Sequence, residues 1–169
     1  MSEQLQKLIS ETQSSLRANP EQAKATFCSR SALKEGFHSE VSLRQHKITV
    51  DEPPTLGGTD QGPNPVELIL AALGACQEIT YRAYATALGI PLDSVSVELE
   101  GDLDLRGFFA VDDKVRAGYQ KVKGTVRLQS SAPEEKLQQL RLVVNAHCPV
   151  LDILQNPLPV ELELRIVAN

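Results

Sequence analysis

The sequence predicts an α+β domain built on largely antiparallel sheets. Two observations carry that expectation. Alternating apolar segments and helically periodic segments follow one another in the order ββα ββ αα β, segregated rather than strictly interleaved. The chain has 169 residues, of which 41% are hydrophobic and 23% charged, enough for one compact core with a short appendage. Residues 1–20 read as the appendage, an N-terminal amphipathic helix, and residues 21–169 as the domain.

Taken in order, residues 3–17 place Leu5, Leu8, Ile9, Thr12 and Leu16 at near-helical spacing, and Asn19-Pro20 stops the pattern. Alternation from Ala23 to Leu33 and from Phe37 to Val50 predicts a hairpin that turns at Lys34-Glu35-Gly36. Residues 51–64 form a long loop of turn residues, a length that in a compact domain accompanies function or disorder. The loop ends at a marked helix start, with Asn64 suited to the N-cap, Pro65 to the first helical position and Glu67 to the reciprocal capping-box bond. This helix is expected to run through Leu88 and stop at Gly89. Its first half, Val66 to Cys76, is apolar nearly all round, so it should lie centrally or in a subunit interface. Ser94–Leu105 and Gly118–Leu128 alternate as two further strands. Pro133 opens a helix to about Ala146, Cys148-Pro149 interrupts it, and a short helix follows over Pro149–Gln155. Leu158–Val167, with Val160, Leu162, Leu164 and Ile166 alternating, should close the chain as a strand.

Composition excludes several functions. Seventeen Lys and Arg against 22 Asp and Glu give a net charge of -5, which repels a phosphate backbone, and the absence of Trp with 4% aromatic residues leaves few stacking platforms. No nucleic-acid partner is expected. The most apolar stretch, residues 68–76, is about half the roughly 20 residues a membrane span needs, and the polar first residues lack a signal-peptide pattern, so a cytoplasmic protein with no membrane partner is expected. His38, His46 and His147 are scattered and no CxxC or HExxH spacing occurs, so no metal or bound cofactor is expected.

The three cysteines are the reactive candidates. Cys76 sits mid-helix among apolar neighbours, where it could pack as a small hydrophobe, and a reactive thiolate there would need a cation from elsewhere in the fold. Cys148 falls at the N-cap of the last helix, where free amides and the positive dipole end favour a thiolate. Cys28, in a predicted strand, reads as a packing residue. Together two thiols can reduce a peroxide through a sulfenic acid that a second thiol traps as a disulfide, provided they meet in space.

The stretch GGTDQGPNPVELILAALGACQEIT from Gly57 to Thr80, followed by HCPVLDIL from His147, resembles the OsmC-like and organic hydroperoxide resistance superfamily. The resemblance implies an intertwined homodimer with central helices between wrapped antiparallel sheets. It implies that Cys76 is the peroxidatic thiol and Cys148 the resolving thiol, that organic or fatty-acid hydroperoxides are the substrates, and that an external dithiol of the lipoyl type is the reductant. A catalytic glutamate directly after Asn-Pro would fall at Val66; this chain offers Glu67 instead, one residue on and rotated by about 100°. Of the basic residues in the first hairpin, Arg30 and Arg44, Arg44 is the candidate for activating Cys76. The competing expectation is a non-catalytic dimer of the same fold that binds an apolar small molecule or senses oxidation.

Overall fold

The computed structural model describes residues 2–167. Helix α1 spans Ser2–Ala18 and packs along α2, which spans Pro65–Ala87. Between them lies a three-stranded antiparallel sheet in sequential order, β1 (Arg30–Leu33), β2 (Ser39–Leu43) and β3 (His46–Val50). After α2 come β4 (Ser94–Asp102), the short helix α3 (Leu105–Phe108) and β5 (Lys121–Gln129), with β4 and β5 forming a separate antiparallel ribbon. Two helices, α4 (Glu134–His147) and α5 (Pro149–Gln155), follow and meet at Cys148. The α+β class with antiparallel sheets is as the sequence predicts.

The start of α2 follows the local chemistry. Asn64 Oδ1 accepts from the Glu67 amide at 2.8 Å, and the Glu67 carboxylate accepts from the Asn64 amide at 2.8 Å, so two of the helix's orphan donors are satisfied reciprocally. Gly89, at φ 65°, takes the left-handed position beyond the last turn that side chains disfavour. The first turn is also tied to the ribbon, because the Tyr119 hydroxyl donates to the Val66 carbonyl at 2.9 Å. Gly101 makes room for that phenol, since any Cβ there would overlap the Tyr119 ring.

The core lies where the second half of α2 meets α4 and one face of the ribbon. Tyr81, Ala85, Leu92, Leu140 and Val144 are buried together, with Tyr84, Ile90, Val95 and Leu128 packed around them. On α4 the buried positions Leu140 and Val144 are four apart, and Cys148 continues that stripe one step past the helix end. The same packing that forms the core therefore decides where Cys148 lies.

The loop before α2 is ordered by one carboxylate. Asp51 is 1% exposed and accepts from the Glu52 amide, the Thr59 amide, the Thr59 hydroxyl and the Gln61 amide. The Thr59 hydroxyl bond leads the effects that hold its pKa down to about 2. This knot folds residues 51–61 back on themselves and delivers the chain to Asn64.

Several expectations are corrected. The run from Phe37 to Val50 is two strands, β2 and β3, joined at a two-residue turn over Arg44 and Gln45, which carries no Gly, Asn or Asp to mark it. Arg44 thus stands in the turn, at φ 55°, and not on a strand. The first strand is confined to β1, so Cys28 lies before it, exposed, and is not a packing residue in this chain. Residues 105–108, expected as strand end and connection, form α3. Leu158–Val167 is not a strand: among the described residues nothing pairs with its backbone groups, and Val160, Leu162, Leu164 and Ile166 stand exposed. The apolar first half of α2, expected to lie centrally or in a subunit interface, is covered on only part of its circumference by this chain, with Ile69 and Ala72 exposed, which leaves the interface alternative open. Among the described residues no helix is long and apolar enough to cross a membrane.

Two outcomes test this account. Asn64→Ala should lower stability by about 1 kcal/mol, read as a lower urea midpoint at unchanged slope. For Asp51, whose folded pKa lies below its unfolded value, stability is present above about pH 4 and is lost as pH falls toward about 2. Urea midpoints from pH 7 to pH 2 should show that loss, and Asp51→Asn should be less stable at pH 7 and flatter across the same window.

Candidate active site

Cys76 lies in the fourth turn of α2 and Cys148 at the α4–α5 junction, seventy-two positions away in sequence, yet their sulfurs are 3.2 Å apart. Cys148 is both the last cap of α4 and the first cap of α5, with extended backbone at φ -82° and ψ 111°. Pro149 suits the position that follows, because its missing N–H is an orphan in any helix. The thiol at position 148 makes no capping bond to its own helix and is aimed across at α2.

The two thiols differ in access. Cys148 is 0% exposed, whereas Cys76 is half-buried. Cys76 shares a stripe of α2 with Ile69, Ala72, Ile79 and Ala83, of which Ile69, Ala72 and Ile79 are exposed. A small molecule can approach Cys76 along that stripe, but it reaches Cys148 only through Cys76 or by opening the core.

Burial pushes the Cys76 thiol above its ordinary pKa, and the neighbouring Cys148 thiol pushes the same way. The backbone amide of Val150, in the first turn of α5, works against that rise by hydrogen bonding to the sulfur. The sequence suggested amide assistance from α5 for Cys148 and none for Cys76; folding brings the Val150 amide to Cys76. The Thr80 hydroxyl, which donates to the Cys76 carbonyl at 2.7 Å one turn back, also acts on the sulfur in the lowering direction.

The other sequence candidates do not join the thiols within the chain. Glu67 is spent on the capping box and stands exposed at the start of α2. Val66, at the position where the family glutamate was expected, lends its carbonyl to Tyr119 and its side chain to the wall of a groove. Arg44 is exposed at the β2–β3 turn, and no cation of the described residues acts on the Cys76 thiol. Among the described residues no cluster of three metal-binding side chains occurs.

Sequence reasoning missed Gln77 and Tyr84, and it did not foresee the ring that His147 meets. Gln77, next to Cys76, is 5% exposed and lines an open groove of about 720 Å³. The groove lies between α2, the β4–β5 ribbon and α5, and its apolar walls include Ile69, Leu73, Leu151 and Leu154. The His147 imidazole stacks on the Tyr84 ring with centroids 5.3 Å apart and planes inclined at 20°. Tyr84 follows Cys76 by eight positions on one helix, a spacing visible in the sequence, but nothing local ties it to His147.

Comparison with known proteins agrees with the fold. The pattern of the OsmC-like protein family matches residues 58–163. An OsmC-like protein from Mycoplasma pneumoniae superposes with a TM-score of 0.69 at 19% identity, covering 79% of this chain and 90% of that one. An organic hydroperoxide resistance protein from Legionella pneumophila does so with a TM-score of 0.60 at 21% identity, covering 78% and 92%. A further organic hydroperoxide resistance protein, from Elizabethkingia anophelis, gives 0.61 at 17% identity, covering 79% and 91%. No curated protein matches the chain by sequence. The end of the loop, all of α2 and the Cys-Pro junction fall inside the matched segment, and the chain belongs to the OsmC-like family.

Proposed function

We propose that this protein is a thiol-dependent peroxidase that reduces organic hydroperoxides as a homodimer. The observation that carries the reading is the 3.2 Å approach of the accessible Cys76 to the enclosed Cys148. The Cys76 thiolate attacks the terminal peroxide oxygen. The O–O bond breaks, the alkoxide takes a proton and leaves as the alcohol, and Cys76 becomes a sulfenic acid. The Cys148 thiolate then attacks that sulfur, hydroxide leaves and is protonated to water, and a Cys76–Cys148 disulfide forms. Closing from 3.2 Å to a bonded distance of about 2.05 Å is a movement of roughly 1 Å. An external dithiol of the lipoyl type returns both thiols by two exchanges and leaves as its own disulfide.

The difference in access assigns the order. Peroxide meets Cys76 first because Cys148 has no exposed surface. The apolar stripe beside Cys76 and the groove walls suit an organic peroxide better than hydrogen peroxide.

A second copy completes the site in this reading. The thiol at position 76 needs a cation to ionise near neutral pH, and the chain alone supplies none among the described residues. The exposed stripe of α2, the unpaired segment 158–167 and the exposed Phe27, Leu33 and Phe37 of the first-sheet region form apolar surface that a partner would cover. Arg44 of the partner subunit is the cation assigned to Cys76.

The experiment is peroxide consumption with cumene hydroperoxide and a dithiol, followed by intact mass. Cys76→Ser should abolish turnover. Cys148→Ser should allow one oxidation per chain and then accumulate sulfinic acid at Cys76 in place of the disulfide. Full activity in Cys76→Ser would reject the assignment, and thiols inert to peroxide in the folded wild type would favour the ligand-binding alternative that the apolar groove also suits. For the cross-subunit cation, Arg44→Ala and Cys76→Ser dimers should each be nearly inactive. Mixing and re-forming dimers should restore activity, because the mixed dimer unites an intact Cys76 with an intact Arg44 across one interface. No recovery on mixing, with mixed dimers shown by mass, would remove Arg44 from this role.

A further inference from the structure

The α4–α5 junction has little of its own to fix its angle. Cys148 is its one extended residue, its side chain makes no capping bond, and the following proline has no N–H to give. What orients the junction is its contact with α2, and to the packing of α4 and α5 on that helix the junction itself adds two arms. The side chains of His147 and Cys148 diverge from neighbouring positions, one stacking on Tyr84 and the other reaching the Cys76 sulfur. Tyr84 and Cys76 are eight residues apart on α2, about 12 Å along its axis. Two anchors at that separation resist rotation of the junction far better than one, and rotation there would swing the Cys148 sulfur away from its partner.

The geometry points to His147 as a positioning residue, whose ring stacked on Tyr84 holds the Cys148 thiol in line to form the disulfide with Cys76. This rests on the peroxidase reading for its biological use, although the positioning itself concerns only the two thiols and the stack. The interaction is one of ring faces, so it depends on an aromatic ring at position 147. An aromatic pair of this kind changes an equilibrium roughly two- to ten-fold.

The test compares the full-length dimer of wild type, His147→Ala and His147→Phe. The first readout is the Cys76–Cys148 disulfide equilibrium in glutathione buffers, which involves no peroxide. His147→Ala should lower the disulfide equilibrium constant about two- to ten-fold, raising the reduction potential by up to about 30 mV, and His147→Phe should restore it. The second readout is intact mass after cumene hydroperoxide. The first oxidation of Cys76 should proceed at the wild-type rate in all three, while the sulfinic fraction rises in His147→Ala and falls back in His147→Phe. A His147→Ala protein with wild-type disulfide equilibrium and sulfinic fraction would overturn the inference. So would a His147→Phe protein no better than His147→Ala, because the imidazole and not the ring face would then be what matters. A wild type that forms the disulfide with glutathione but ignores peroxide would reject the peroxidase reading and leave the positioning role standing.

Discussion

The packing of α4 against the second half of α2 is the constraint on which the rest depends. Leu140 and Val144 are fully buried against Tyr81 and Ala85, and each such side chain contributes on the order of 2 kcal/mol by leaving water. That contact fixes the height of α4 along α2. With the height fixed, the residue one step beyond the buried stripe meets the middle of α2, where Cys76 is. The thiol pair is thus a by-product of core packing and needs no flexible loop to find its partner. A site built on helices in this way is held more closely than one built on loops.

The electrostatics of the pair show what the single chain leaves unfinished. Desolvation raises the Cys76 thiol, the adjacent thiol raises it further, and the Val150 amide from α5 and the Thr80 hydroxyl oppose them. A half-buried thiol held above its ordinary pKa would need a nearby cation to ionise near neutral pH. The same side of α2 is apolar and open, and the three-stranded sheet stands away from it, carrying Arg44 at its turn. The second copy proposed above would both cover that apolar face and bring a charge to the thiol. The capping box also clarifies the departure at Val66 and Glu67. The carboxylate of Glu67 is satisfied locally, and Val66 turns an apolar side chain into the groove.

Residue by residue, the sequence determined what depends on neighbours within a turn or two. Asn64, Pro65 and Glu67 specify the start of α2 because a capping box closes over three residues, and Gly89 specifies its end because the left-handed position excludes most side chains. The junction at Cys148-Pro149 was equally legible, since proline's ring sets a helix start. Alternation located β4 and β5 but not the turn at Arg44, where no turn-forming residue stands, and it also marked 158–167, which pairs with no strand among the described residues. Only the tertiary structure decided that Cys76 and Cys148 meet, that the Val150 amide serves Cys76, and that His147 stacks on Tyr84. Local patterns are set by backbone sterics and hydrogen bonds that close within a few residues. The meeting of groups seventy-two positions apart is set by how two helices share one core, and no short window of sequence carries that information.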